Sequence, residues 1–193
     1  MTKTISLIFI CTLFVISCQQ PPEEFKVSQI IGNEVVAENG KRIEITDLGE
    51  NNTTVFFMVR HAEKQADDDP GLTDQGIERA KRLAGILKDV PIKTIFSTYT
   101  KRTRATVAPI AKMLNLEIVN YSAENQNSLI ESAMKYGAGD SYLIVGHSNT
   151  IPSLLNLFNG NEVYENIDES VYDDLFIVIA KTGEEAQIIE LKY

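Results

Sequence analysis

Only two histidines occur in the chain, His61 and His147, and each stands where an apolar run stops, in "FFMVRHAEK" and in "YLIVGHSNT". An imidazole can attack, accept or donate a proton, or hold a metal, and its neighbours decide which. Here the neighbours are cations. Arg60 precedes His61, and "STYTKRTRAT", Ser97 to Thr106, places Arg102 between Lys101 and Arg104 at the start of a helical pattern. Guanidinium forks match phosphate oxygens in two-point contacts. Two arginines beside two histidines, in a chain of net charge −9, would make an isolated cationic pocket suited to a phosphoryl group. A lone histidine is more often a packing residue; two at equivalent strand ends argue for chemistry. Lys101 and Arg104 read equally well as a solvated helix face.

The elements that must position these residues follow from periodicity. Val55 to Val59, Thr94 to Phe96, Leu143 to Val145 and Leu175 to Ala180 are continuous apolar runs, as expected of strands buried on both faces. Between them lie helical faces. Thr73 is the expected N-cap of a helix burying Ile77, Ala80, Leu83, Ala84 and Leu87. Val107, Ile110, Ala111 and Leu114 form a second face, which Pro109 must kink or restart. Leu129, Ile130, Ala133 and Met134 form a third, closed by Gly137. Strands alternating with helices predict a three-layer α/β/α domain with a mostly parallel central sheet over residues 54–193, whose ligands bind at the carboxyl ends of the strands. Before it, Asn39-Gly40 between two alternating segments predicts a type I′ β-hairpin within an appendage over residues 25–53.

With those elements in place, four segments resemble the motifs of the histidine phosphatase superfamily, also called phosphoglycerate mutase-like. Arg60-His61-Ala62-Glu63 is similar to its RHG motif, with Ala62 in the glycine place, as in members resembling phosphohistidine phosphatases. "LTDQGIERA", Leu72 to Ala80, resembles its helix start; "STYTKRTRAT" resembles its arginine segment, with Thr98 in the serine place; "VGHSNT" resembles its second-histidine motif. The resemblance implies a metal-independent, cofactor-free phosphatase. His61 would be the nucleophile that forms a phosphohistidine; Arg60, Arg102 and His147 would clamp the phosphoryl group; Thr98, Ser148 and Asn149 would touch the substrate. The proton for the leaving group would come from Glu124, after the strand in "LEIVNYSAEN", or from Glu63 or the Asp67-Asp68-Asp69 run. No dedicated acid is needed if the substrate is a phosphoramidate such as phosphohistidine, whose leaving group departs more readily. The expected partners are a small phosphorylated molecule or a phosphohistidine-bearing protein. Two other classes compete: a metal-dependent hydrolase using His61, Glu63, the aspartate run and His147, and a phosphate-binding module without turnover.

Composition bounds the rest. At 193 residues with 44% hydrophobic positions the chain holds one domain with a core, and its acidity argues against nucleic-acid binding. Residues 1–17 read as a secretory signal, with Lys3 ahead of the apolar run Ile5 to Ile16, too short to span a bilayer comfortably. Val15-Ile16-Ser17-Cys18 resembles the lipobox of bacterial lipoproteins, which implies lipidation at Cys18, a tether over residues 18–24, and an exported protein held at the cell envelope, touching membrane only through its anchor. With Cys11 lost in the signal, no thiol nucleophile or cysteine metal site remains.

Overall fold

A computed structural model of the chain describes residues 25–46 and 48–193; the expected signal, Cys18 and the tether lie outside them. Six strands form one sheet in the order β6(Ile118–Asn120), β5(Ile92–Ser97), β7(Ser141–Gly146), β4(Thr53–Arg60), β8(Asp174–Lys181), β9(Gln187–Lys192). The pairs β5–β6, β5–β7 and β4–β7 are parallel, while β8 runs antiparallel to both its neighbours. The sheet is therefore mostly parallel, as expected. Every residue of β4 and β7 is buried, which accounts for their unbroken apolar runs.

Alternation along β4 divides the core. Val55, Phe57 and Val59 join α1(Asp74–Leu87) and α2(Lys101–Leu114) on one face; Phe56 and Met58 join α3(Gln126–Tyr136) and α4(Thr150–Asn159) on the other. The three layers follow from this period of two. Thr73 caps α1, accepting from the Gly76 N–H at 3.1 Å. Gly76 is there for closeness, since a Cβ on it would lie 2.2 Å from the Glu63 carbonyl oxygen. Gly76, Ala80, Leu83, Ala84 and Leu87 thus form the buried stripe, and Ile77, one position off it, is 43% exposed rather than buried. Pro109 lies inside a single uninterrupted α2, so the helix does not restart there. Gly137 ends α3, where any side chain would collide with the Tyr142 hydroxyl.

The N-terminal appendage is a three-stranded antiparallel sheet, β1(Val27–Ile31), β2(Glu34–Ala37) and β3(Arg42–Glu44), and not a single hairpin. Its first turn, Gly32-Asn33, has Gly32 at φ +58°, the glycine position of a type II′ turn. The Asn39-Gly40 turn is not type I′, which needs positive φ at both central residues: only Gly40 has it, at +82°. The Gly40 N–H donates to the Ala37 carbonyl at 3.0 Å and the Ala37 N–H to Lys41 at 2.8 Å, the arrangement of a turn followed by a glycine bulge. Val27, Ile30 and Val35 pack into the α1–α2 face of the core, and Arg82 of α1 donates to the Val27 carbonyl at 3.0 Å.

Candidate active site

The carboxyl ends of β4 and β7 are tied together at the point where both histidines emerge. The His61 N–H donates to the Gly146 carbonyl at 2.9 Å, and the His147 N–H donates to Thr150 Oγ1 at 2.7 Å. Gly146 cannot carry a side chain, because a Cβ would lie 2.4 Å from that same Oγ1 and 2.8 Å from the Tyr121 hydroxyl. The two imidazoles face each other edge to face, with ring centroids 5.5 Å apart. Ala62 is fully buried with Leu72 and Ala80, and its N–H donates to Thr106 Oγ1 of α2 at 2.9 Å. Its methyl group is part of the packing that holds His61 in place.

The hydrogen bonds assign the tautomers. His61 Nδ1 lies 2.8 Å from the Ala62 carbonyl oxygen, which can only accept, so Nδ1 carries the proton and Nε2 keeps a free lone pair. Arg102 Nη2 lies 3.3 Å from His147 Nδ1, and a guanidinium only donates, so the His147 proton sits on Nε2, which donates to Thr98 Oγ1 at 2.8 Å. Thr98 in turn donates to Thr103 Oγ1 at 3.2 Å. Thr98 therefore fixes the second imidazole, and both His147 nitrogens are engaged by the protein. Burial, before any charge, pushes His61 down to about 4, with Arg60, Arg102 and His147 adding to the effect against the lift from the Ala62 bond. His147 also falls to about 4, again through burial first and then Arg102 and Arg60. Both rings are neutral across the ordinary pH range.

Arg60 is 1% exposed and is covered by the segment between α4 and β8. Its Nη1 donates to the carbonyls of Asp168 and Val171 at 2.8 and 2.9 Å, its Nη2 reaches the Glu169 carboxylate at 2.7 Å, and the Tyr172 ring lies 4.4 Å from its Cζ. The Ser148 hydroxyl donates to the other Glu169 oxygen at 2.6 Å. That bond, with the Arg60 charge, holds the Glu169 carboxyl below the usual carboxylate range. Glu169 thus places an oxyanion between Arg60 and Ser148, beside both histidines. No signal in the sequence marks it, because it stands on a segment without regular structure. Arg60 Nε and Arg102 Nε are buried with no hydrogen-bond partner, a costly arrangement unless an acceptor arrives.

The remaining expected residues are placed as follows. Glu63 is committed to Arg79, whose Nε and Nη2 hold its carboxylate at 2.7–2.9 Å. With both oxygens taken, Glu63 is removed as a proton donor and as a third ligand beside the histidines. Among the described residues no group of three histidine, cysteine or acidic side chains could hold a metal. In the aspartate run, Asp69 accepts from the Lys101 N–H at 3.0 Å and lies 3.8 Å from Arg102 Nη1; Asp67 and Asp68 are exposed. Glu124 lines a depression with Asn125, Gln126, Ser153 and Leu157, and no described contact joins it to either histidine. Asn149 is exposed at the start of α4. Lys101 is exposed and Arg104 donates to Asn120 at 2.8 Å, so neither joins the cluster. A cavity of about 500 Å³ beside Phe96, Tyr121, Tyr136 and Tyr142 contains none of the four cluster residues. No charged side chain lines it, so it has nothing to hold a phosphoryl group.

Comparison with known proteins agrees with the motif reading. Residues 56–134 match the model of the Histidine phosphatase superfamily (branch 1), and the resemblance read from the four motifs holds. No curated protein matches the chain. Among solved structures, it superposes on the protein histidine phosphatase SixA complexed with tungstate, at 16% identity and TM-score 0.61, covering 72% of this chain and 96% of that one. It superposes equally on a mycobacterial glucosyl-3-phosphoglycerate phosphatase, at 10% identity and TM-score 0.62, covering 72% and 99%. A phosphoglycerate mutase from Plasmodium falciparum follows at 16% identity and TM-score 0.52, covering 73% and 91%. Identities this low establish the shared fold and not a shared substrate.

Proposed function

We propose that the chain is a phosphatase that transfers a phosphoryl group to His61 and then to water. The observation that carries this reading is the free Nε2 lone pair of a buried, neutral His61, held beside His147 and two guanidiniums whose Nε–H groups lack partners. In the first step Nε2 forms a bond to phosphorus while the bond from phosphorus to the leaving oxygen or nitrogen breaks. Arg60 and Arg102 spread the developing charge, and Ser148 and the α4 start supply further donors. In the second step a water oxygen attacks phosphorus, the P–Nε2 bond breaks, and inorganic phosphate leaves with the proton that water sheds.

His147 donates to a phosphoryl oxygen in this scheme only if the substrate takes the place of Thr98 or Arg102 on its ring. Glu169 is ionised while paired to Arg60, and Glu124 opens onto another depression, so neither carboxyl is poised to donate. Leaving groups that need little help from an acid, phosphoramidates and activated esters, therefore suit the site best, and phosphohistidine-bearing proteins belong to that class. The test is turnover of p-nitrophenyl phosphate and a phosphoramidate by wild type and His61→Ala, with and without chelator. The proposal expects turnover indifferent to chelator and lost in the variant. Equal rates in both proteins would remove the nucleophile, and loss to chelator with recovery on adding a divalent metal would favour a metal hydrolase.

We further propose that the protein is exported and lipid-anchored through Cys18. Support comes from the sequence Val15-Ile16-Ser17-Cys18 alone. Labelling with a fatty-acid analogue checks it: the label should be present in wild type and absent in Cys18→Ala, and a labelled variant would refute it.

A further inference from the structure

Resting on the phosphatase reading, we infer that the site selects substrates whose leaving group is neutral or cationic and excludes those carrying a second anion. Three observations lead there. First, a cavity of about 430 Å³ lies between α4 and the segment after it, lined by residues that include Asn149, Ser153, Asn156, Tyr164 and Asn166, with Glu162 as the only charged one; a leaving group that extends along α4 would enter it. Its edge is tied in sequence to the clamp, since Asn149 follows Ser148, and the segment beyond it is held there by the Ile167 N–H, which donates to the Ser148 carbonyl at 2.8 Å.

Second, the anion that occupies the clamp, between Arg60 and Ser148, is Glu169, whose side chain is 70% exposed while its partner Arg60 is 1% exposed. A phosphoryl group that takes Arg60 Nη2 and Ser148 Oγ must push this carboxylate aside, and the chain on either side keeps it at the rim. There it faces the leaving group. Third, no cation lines that cavity: Arg60 and Arg102 serve the phosphoryl group, Arg104 is held by Asn120, and Arg79 by Glu63. A leaving group with a carboxylate or second phosphate would meet Glu162 and Glu169 with no counter-ion in the cavity. One bearing an ammonium or imidazolium would find two acceptors, and a hydroxyl or amide would find the asparagines.

The cavity is shaped for such polar contacts. Asn156 holds its far wall by donating to the Tyr164 carbonyl at 2.9 Å and accepting from the N–H groups of Val163 and Tyr164. Asn156 thus fixes the backbone that follows Glu162.

The test uses three alkyl phosphomonoesters that differ in leaving-group charge: phosphoethanolamine, glycerol phosphate and phosphoglycerate. The readout is their binding to the full chain carrying His61→Ala, which holds an ester without turning it over. The first two esters should exceed the third by about tenfold at low ionic strength, the gap should shrink in salt, and Glu162→Lys should narrow it severalfold. Equal handling of the three esters, a preference for phosphoglycerate, or a gap that neither Glu162→Lys nor Glu169→Gln changes would overturn the inference. Tungstate binding separates the two levels. Tungstate bound without any charge preference among the esters defeats this inference alone, whereas no binding of tungstate or of any ester defeats the phosphatase reading and takes this one with it.

Discussion

Two arginine–carboxylate pairs flank His61, both at 2.7 Å, in opposite surroundings. In Arg79–Glu63 the side chains are 18% and 12% exposed, and the guanidinium also donates to the Tyr193 carbonyl at 3.1 Å. In Arg60–Glu169 the cation is 1% exposed and the anion 70%. The first pair is a strut, since both partners are mostly withdrawn from water and removing one strands the other. The second is replaceable, because its anion can return to solvent while another takes its place on the buried cation. Equal distances therefore say little about role, and the burial of each partner says much.

The comparison can be broken from either side. Arg60→Lys keeps the charge and loses the planar fork; turnover should fall by about a thousandfold and tungstate binding with it, as read by kinetics and calorimetry. Arg79→Met should cost about 2–3 kcal/mol of stability, seen in denaturant unfolding, while turnover changes by less than about fivefold. A reversal of those two outcomes would mean that the strut and the replaceable pair have been misassigned. Glu169→Gln should leave stability within about 1 kcal/mol and tighten tungstate binding by about fivefold, because the competing anion is gone. Weaker binding in that variant would show that Glu169 helps to hold the ligand.

A further effect is in pH. Both histidines titrate lower in the fold than the usual value of 6.5, near 4, so between those values the unfolded chain binds more protons than the native one. Stability should be full above about pH 6.5 and fall as pH drops toward about 4, below which carboxyls held under their usual range, Glu169 among them, carry the loss further. The acid limb of kcat/KM should lie near pH 4 rather than 6.5, and Glu169→Gln should remove only the part of the acid loss that the lowered Glu169 carboxyl carries.

The strands that carry the histidines were legible because β4 and β7 are buried on both faces and read as unbroken apolar runs. Thr73 was legible because an N-cap is a local device, contained within four residues. β9 was not, since "QIIELK" is only partly buried at a sheet edge and shows no clean period. The first turn of the small sheet, Gly32-Asn33, is a weaker signal than the Asn39-Gly40 beside it. At the site, the types and positions of Arg60, His61, Arg102 and His147 were visible, and the structure brings them together. Glu169 was invisible because its contact with Arg60 joins distant parts of the chain through backbone carbonyls and a carboxylate, for which no spacing rule exists. The pairing of Glu63 with Arg79 was missed for a related reason: its partner lies sixteen residues on, across the loop before α1, beyond the helical spacing that marks local ion pairs.

The account stands most directly on a covalent intermediate at one ring nitrogen. Wild type mixed with p-nitrophenyl phosphate, quenched in alkali to preserve phosphoramidate bonds and digested for mass spectrometry, should carry a phosphoryl group on His61, with the peptide unmodified in His61→Ala. Turnover without any modified histidine, or a phosphoryl group on His147 instead, would contradict it.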